Sequence, residues 1–182
     1  MIFTIFYLIL FAEVTLLLIV LNLAFNRRIS IWPPRGAKSK SIYVLMVIFY
    51  LIIAGSIWIC IQEWGSPLIE FQWIRYIGTA ISGLGLILYM WCRMHMSKRV
   101  EFGGTDHLIT NGPYRYTRNP IYIADILIFL GFALLSNSLL VTILMCLLVI
   151  TLLLLPLIEE PWLLEQYGEK YKNYMSKVPR YL

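Results

Sequence analysis

Two adjacent carboxylates, Glu159 and Glu160, follow a long apolar run and precede Pro161 and Trp162. Negative charge is unfavourable at the carboxyl end of a helix, because the backbone dipole already places partial negative charge there. We therefore expect the pair to face a cation or a ligand rich in hydrogen-bond donors. Placed beside an amine, such carboxylates serve as a general base or as a cation site.

A second polar segment, residues 93–122, carries ordered turn and helix-start signals. Asn-Gly-Pro at residues 111–113 predicts a turn. Asn119 followed by Pro120 predicts the start of a helix, because Asn is favoured as an N-cap and Pro at the first helical position. Free N–H groups at such a start hold anions, for example a carboxylate.

Cations and aromatic rings surround this predicted helix start. Arg115 and Arg118 add positive charge, and Tyr114, Tyr116 and Tyr122 offer flat surfaces to an aromatic ring or a cation. The alternative is an aromatic belt at the membrane interface with snorkelling arginines. The ordered placement of Gly, Pro, Asn and Arg favours a binding site.

The composition of the 182-residue chain indicates where these residues must work. Hydrophobic residues make up 60% of it, charged residues only 14%, and its mean hydropathy is +0.76. A soluble domain carries roughly a quarter charged residues. An ordinary soluble enzyme, a disordered chain and a secreted disulfide scaffold are therefore excluded. The three cysteines lie within or at the ends of apolar runs without CxxC spacing, so no disulfide or metal site is expected.

Five apolar runs predict an all-α integral membrane protein with five transmembrane helices, since about 20 residues cross a bilayer core. They are Ile2–Phe25, 42–61, 76–92, 121–135 and 139–157. The fourth is short and requires a thinned bilayer or shielding by protein. Residues 136–138 form only a tight turn, so the last two runs predict an antiparallel hairpin. Aromatic spacing over 162–174 predicts an amphipathic cytoplasmic helix.

The basic residues predict the orientation. Of the 15 Lys and Arg residues, 14 fall on one side of this five-span arrangement. By the positive-inside rule that side is the cytoplasm, with the N-terminus outside and the C-terminus inside. Both polar segments then face the cytoplasm. The net charge of +5 thus reflects membrane topology and the binding of an anion. We expect no nucleic-acid partner.

Polar and small residues inside the runs are further candidates. Gly78, Ser82 and Gly85 lie on one face of the third helix and predict close approach by another helix. Glu13 and Asp125 are acids at membrane depth, where ionisable groups are costly and are candidates for function.

Together the two polar segments resemble the isoprenylcysteine carboxyl methyltransferase family, within the small membrane methyltransferases that include phospholipid N-methyltransferases. The motifs here are His107-Leu108-Ile109, Gly112-Pro113-Tyr114, Arg118-Asn119-Pro120-Ile121-Tyr122 and Glu159-Glu160, with a tyrosine-rich stretch at 167–174. Asn119 stands where the family usually has His, so this position hydrogen-bonds without titrating.

The resemblance implies an S-adenosylmethionine-dependent methyltransferase without a Rossmann domain. Residues 1–92 would form three N-terminal helices, and 93–182 the cofactor-binding catalytic region. It implies Arg118, Glu159 and Glu160 as catalytic residues and no metal. The implied cofactor-binding residues are Asp106, His107, Leu108, Ile109, Tyr114, Asn119, Pro120, Ile121, Tyr122 and Glu159.

The methyl acceptor implied by the resemblance is the carboxylate of a C-terminal isoprenylated cysteine or a similar lipophilic carboxylate. It would be a small molecule or a prenylated peptide, and membrane lipid would be a further partner. A phospholipid N-methyltransferase is the alternative. A sterol-type reductase would need cations for the NADPH 2′-phosphate and usually has more spans, and a non-catalytic membrane interaction protein would bind no cofactor tightly.

Overall fold

The computed structural model of the protein describes residues 1–25, 40–96 and 107–181. This part of the chain is all-helical, with six α-helices, one 3-10 turn and no strand, which confirms the predicted fold class. The helices are α1 (Ile2–Phe25), α2 (Lys40–Gln62), α3 (Trp73–His95), α4 (Pro120–Ser136), α5 (Leu139–Tyr167) and α6 (Glu169–Met175), and the 3-10 turn covers Gly112–Arg115.

Three of these helices, α1, α3 and α5, are long and apolar enough to cross a membrane. Helix α4 and the Met46–Gln62 part of α2 are apolar but shorter. By length and composition the protein is therefore a membrane protein, and the count of five crossings stays a prediction.

Four helices, α1, α2, α4 and α5, share one apolar core. Helix α5 lies at its centre and packs against the other three. Their outward faces remain apolar, as hydrocarbon surroundings require. The buried core residues are Phe6 and Ile9 of α1; Ile52, Ile59 and Cys60 of α2; Phe129 and Ala133 of α4; and Val141, Leu144, Met145, Leu148 and Leu152 of α5.

Helix α3 packs on α4 at nearly backbone contact, which confirms the predicted small-residue face. A Cβ added at Gly78 would lie 2.3 Å from the backbone nitrogen of Leu135, and one at Gly85 would lie 2.8 Å from that of Ile128. Between them the hydroxyl of Ser82 donates to the Ile128 carbonyl at 3.2 Å. Because α4 lies directly on α3, the start of α4 is held in place.

The predicted tight hairpin between α4 and α5 is confirmed. Asn137 adopts left-handed backbone geometry (φ 51°), and Ser138 caps α5 by accepting from the Val141 N–H at 3.2 Å. The Asn137 side chain also exchanges hydrogen bonds with the backbone of Ile69, at 3.0 and 2.7 Å. This end of the hairpin is thus tied to the loop between α2 and α3, and the start of α4 meets α5 at the opposite end.

Helix α5 extends further than the apolar run that predicted it. It includes both Pro156 and Pro161 and continues past residue 157 to Tyr167. Gly168 (φ 53°) follows its last residue. The carboxylate pair therefore lies within a helix and not at its end. Buried contacts of Pro156 and Glu160 hold the helix together where two prolines remove backbone donors.

The predicted element over 162–174 is consequently divided between the end of α5 and the short helix α6. The break falls at Gly168, whose positive φ suits a residue without a Cβ. Tyr171 and Tyr174 of α6 are buried in a small cluster with Val178, and Leu108 and Leu163 pack against it. These tyrosines thus pack against the protein itself.

Candidate functional site

The two polar segments meet where α4 begins. Asn119 precedes α4 and Pro120 is its first residue, as predicted. The prediction that the Asn119 side chain caps the helix is wrong: its Nδ2 donates instead to the carbonyl of Arg180 at 3.0 Å. Since no side chain caps this helix start, its backbone N–H groups keep their affinity for an anion.

Glu160 lies between two arginines. Arg118 Nη2 is 3.1 Å from Glu160 Oε1, and Arg180 contacts both oxygens, with Nε 3.0 Å from Oε1 and Nη2 2.5 Å from Oε2. The side chains of Arg118 and Glu160 are 9% and 5% exposed. The expected cation beside the carboxylate pair is therefore present at Glu160, and Arg118 provides part of it.

Glu159 has a different partner. The hydroxyl of Tyr122, in the first turn of α4, donates to Glu159 Oε1 at 2.6 Å. This bond joins the first turn of α4 to the C-terminal part of α5. Two residues assigned to the cofactor by resemblance, 37 positions apart in the chain, are thereby in direct contact.

Residues 178–181 close this arrangement, and the sequence analysis missed their role. The Arg180 carbonyl accepts from the Thr117 hydroxyl as well as from Asn119, and the Pro179 carbonyl accepts from the Arg118 N–H at 2.9 Å. The Tyr181 hydroxyl donates to the Leu153 carbonyl at 2.7 Å. The contacts of Pro179 and Arg180 join positions about 60 residues apart, and no local pattern in the sequence indicates them.

The remaining predicted cofactor residues lie at different depths. Ile109 is buried and Leu108 half-buried, whereas His107 is exposed. Pro120 is buried and Ile121 half-buried at the start of α4. Asp106 lies outside the described residues.

Buried tyrosines line the region behind the ion pairs. The Tyr174 hydroxyl donates to the Tyr114 carbonyl at 2.5 Å. Burial raises the pKa of Tyr174 to about 12 and raises the pKa of Tyr114 and of Tyr171 well above their usual range. All three therefore remain neutral at physiological pH. The hydrogen bond to Glu160 raises the pKa of the Arg180 guanidinium further above its usual range, so Arg180 stays charged.

The 3-10 turn before α4 lies close against α3 because Gly112 has no side chain. Gly112 has φ 58°, and a Cβ there would lie 2.5 Å from Nε2 of His95. Beside it, the guanidinium of Arg115 lies over the ring of Tyr116 at 4.6 Å. The ring of Trp91 is 6.5 Å from that of Tyr116, so the turn presents aromatic and cationic surface next to α3.

The acids inside the apolar helices lie apart from these ion pairs. Glu13 of α1 is 2% exposed, and neither of its carboxylate oxygens has a hydrogen-bond partner in the described part of the chain. Asp125 is half-buried in the second turn of α4, three residues after Tyr122. Asp125 thus stays a candidate for the site, whereas Glu13 belongs to the helix core.

The chain matches a known protein family. Residues 73–170, more than half of the chain, match the family model described as phospholipid methyltransferase. The match begins with α3 and ends in α6, and it includes both polar segments apart from the last residues. The protein belongs to the phospholipid methyltransferase family, which comprises small membrane methyltransferases.

One distant relative is named for metal resistance and not for methyl transfer. The chain is 28% identical over 121 residues to the cobalt-zinc-cadmium resistance protein CzcN of Cupriavidus metallidurans. The similarity covers 66% of this chain and 47% of that protein, so the chain spans about half the length of this curated relative. No solved structure matches the chain.

Proposed function

We propose that the protein is an S-adenosylmethionine-dependent methyltransferase acting at the cytoplasmic membrane face. Family membership supports the reaction class. The observation that carries the location is the contact of Tyr122 with Glu159 beside the contact of Arg118 with Glu160, where the start of α4 meets the C-terminal part of α5. In this proposal the chain crosses the membrane five times, residues 93–182 form the cofactor-binding region, and α6 lies at the cytoplasmic surface.

The residues at this place fit the cofactor. Arg118 Nε is buried and donates to no acceptor among the described residues. A carboxylate is a strong acceptor for such a cationic donor, and the uncapped start of α4 favours the same charge. Glu159 suits the ribose hydroxyls or the amino group. S-Adenosylmethionine supplies a methyl group on a sulfonium, which is transferred by in-line displacement.

The contribution of the chain is alignment and exclusion of water. Ion pairs and buried tyrosines fix the ends of α4 and α5, so groups bound between them are held in one geometry. A carboxylate acceptor is already ionised at neutral pH and needs no general base. The replacement of the family's His by Asn119 is compatible with such an acceptor.

The acceptor that we propose is the carboxylate of a C-terminal isoprenylated cysteine or a similar lipophilic carboxylate. Arg115 is exposed at the turn before α4 and supplies a cation for it. The apolar outer faces of the helices suit a prenyl chain entering from the bilayer.

A phospholipid amine is the second candidate, and the description of the matching family favours it. An amine arrives as an ammonium ion and must lose a proton before attack. Glu160 is poorly suited to accept it because two arginines occupy both of its oxygens. Glu159 is then the candidate base.

A methyl-transfer assay tests the proposal. Purified protein in liposomes receives S-adenosylmethionine with a labelled methyl group and either a prenylcysteine analogue or phosphatidylethanolamine. We expect label in the extracted prenylcysteine, and label in the phospholipid would establish the second candidate. Glu159→Ala should reduce transfer about tenfold or more, as loss of a charged hydrogen bond does. Glu165→Ala, an exposed acid on the same helix, is the matched control. No transfer to either acceptor contradicts the proposal.

A further inference from the structure

We propose that Arg180 is a positioning residue that keeps Arg118 available for an anionic group of the ligand. This inference rests on the proposed function, since it assigns a task within the same site. It starts from the unequal way in which two arginines share Glu160.

The geometry of the three side chains is asymmetric. Arg180 contacts both oxygens of Glu160 through Nε and Nη2, like a fork. Arg118 approaches Glu160 with Nη2, which is 3.1 Å from Oε1. Two positive charges therefore face one negative charge, and the carboxylate belongs mainly to Arg180.

The consequence appears at Arg118. Its side chain is 9% exposed, and its Nε is buried without a hydrogen-bond acceptor among the described residues. A buried charged donor left unpaired is costly, so the position suits a ligand that brings an acceptor. The unpartnered cationic donor requires an acceptor, and a carboxylate accepts readily from a guanidinium.

Without the Arg180 side chain the hydrogen bonds of Glu160 would change. Glu160 would have Oε2 free and would pair with Arg118 through two parallel hydrogen bonds, the preferred geometry of such a pair. The Nε–H of Arg118 would then be occupied within the protein. In this way Arg180 prevents Glu160 from competing with the ligand for Arg118.

The backbone of Arg180 is anchored independently of its side chain. Its carbonyl accepts from Thr117 and Asn119, and the neighbouring Pro179 carbonyl accepts from the Arg118 N–H. A substitution of the Arg180 side chain therefore leaves the segment attached, and effects on binding are separable from unfolding.

The test is calorimetric titration of full-length variants with S-adenosylmethionine and with its decarboxylated analogue. We expect Arg180→Ala to weaken binding of the carboxylate-bearing cofactor about tenfold to a hundredfold, while affinity for the analogue changes little. The affinity of Arg180→Lys for S-adenosylmethionine should lie between those of the wild type and Arg180→Ala, because an ammonium cannot form the two parallel hydrogen bonds of a guanidinium. Lys177→Ala removes an exposed cation from the same region and should bind like the wild type.

A double variant provides the sharpest discrimination. Adding Glu160→Gln to Arg180→Ala removes the competing charge, so it should restore much of the lost affinity. A purely structural role predicts a further loss, and thermal unfolding in detergent shows whether each variant is folded. Unchanged binding by Arg180→Ala, or an equal loss for both ligands, overturns this inference alone. If the wild type binds neither ligand, the proposed function and this inference fail together.

Discussion

Two neighbouring carboxylates that look equivalent in the sequence have different surroundings in the structure. Glu160 is almost fully buried between Arg118 and Arg180, whereas Glu159 accepts from the hydroxyl of Tyr122. Both oxygens of Glu160 are already held by guanidinium groups, which leaves little room for a further donor from a ligand. These partners are the reason for the roles proposed above, in which Glu159 binds the ligand and Glu160 pairs with the arginines.

The buried tyrosine network predicts loss of stability at high pH. Tyr174 has its pKa raised from 10.0 to about 12 by burial. Between these values the folded chain holds a proton that the unfolded chain has lost, so this stabilisation is complete below pH 10 and is lost as the pH rises to about 12. Tyr174→Phe should therefore flatten the alkaline decline of the free energy of unfolding, by about 2 kcal/mol at most. Thermal unfolding of the wild type and of Tyr174→Phe between pH 8 and 12 measures this decline. Parallel pH curves for the two proteins would contradict the raised pKa of Tyr174.

Residue types and their spacing predicted part of the site. Asn119 and Pro120 mark the start of α4 as expected, and Arg118 lies beside Glu160. The bond from the Asn119 amide to the Arg180 carbonyl was not predictable, because it depends on how a segment 61 residues away is folded. The same holds for Arg180 itself, whose importance comes from tertiary contacts and from no local motif.

At the scale of elements, the contact between α3 and α4 is the tightest packing that supports the site. Gly78 and Gly85 bring the two backbones together, and Ser82 bridges them with a hydrogen bond. Close approach adds van der Waals contact in a medium where apolar burial contributes little to helix association. The start of α4, where the site lies, thus depends on glycines far from the ion pairs.

Two glycine substitutions in one helix should act in opposite directions. Gly78→Ala should lower the free energy of unfolding by about 1–3 kcal/mol, because its Cβ would meet α4 backbone. Gly83→Ala meets no atom within 4 Å and should be neutral or stabilising by up to about 1 kcal/mol, since Ala is the better helix former. Thermal unfolding in detergent compares them, and equal effects would contradict the packing described.

Element boundaries were predicted well where a turn signal was local and poorly where tertiary contacts decide. Residues 136–138 form the predicted turn, and left-handed Asn137 followed by the capping Ser138 explains it. The end of α5 was predicted ten residues too early, at 157 and not at Tyr167, because the apolar run stops just before Glu159 and Glu160. Burial of Glu160 and Pro156 overrides that local preference.

For the whole molecule, the contacts place the loops in two sets. The loop between α2 and α3 is bonded to the hairpin turn at Asn137, and the candidate site lies at the other end of the α4–α5 hairpin. The sorting of 14 of the 15 basic residues to one side stays a prediction of the five-span arrangement. Which side faces the cytoplasm stays a prediction from the positive-inside rule.

Thiol labelling tests that orientation. Ser66→Cys and Lys177→Cys place exposed thiols at the two ends. We expect a membrane-impermeant maleimide to label the first in intact cells and the second only after permeabilisation. The background and control is a Cys146→Ser protein, because Cys146 is exposed on α5 whereas Cys60 and Cys92 are buried. Labelling of both from the same side would contradict five crossings.

Calorimetric titration of the purified wild-type protein with S-adenosylmethionine and, separately, with NADPH is the most direct test of the central claim. The proposed site predicts saturable, one-to-one binding of S-adenosylmethionine and none of NADPH. Absence of heat with S-adenosylmethionine, or saturable binding of NADPH in its place, would contradict the assignment of this membrane protein as a methyltransferase.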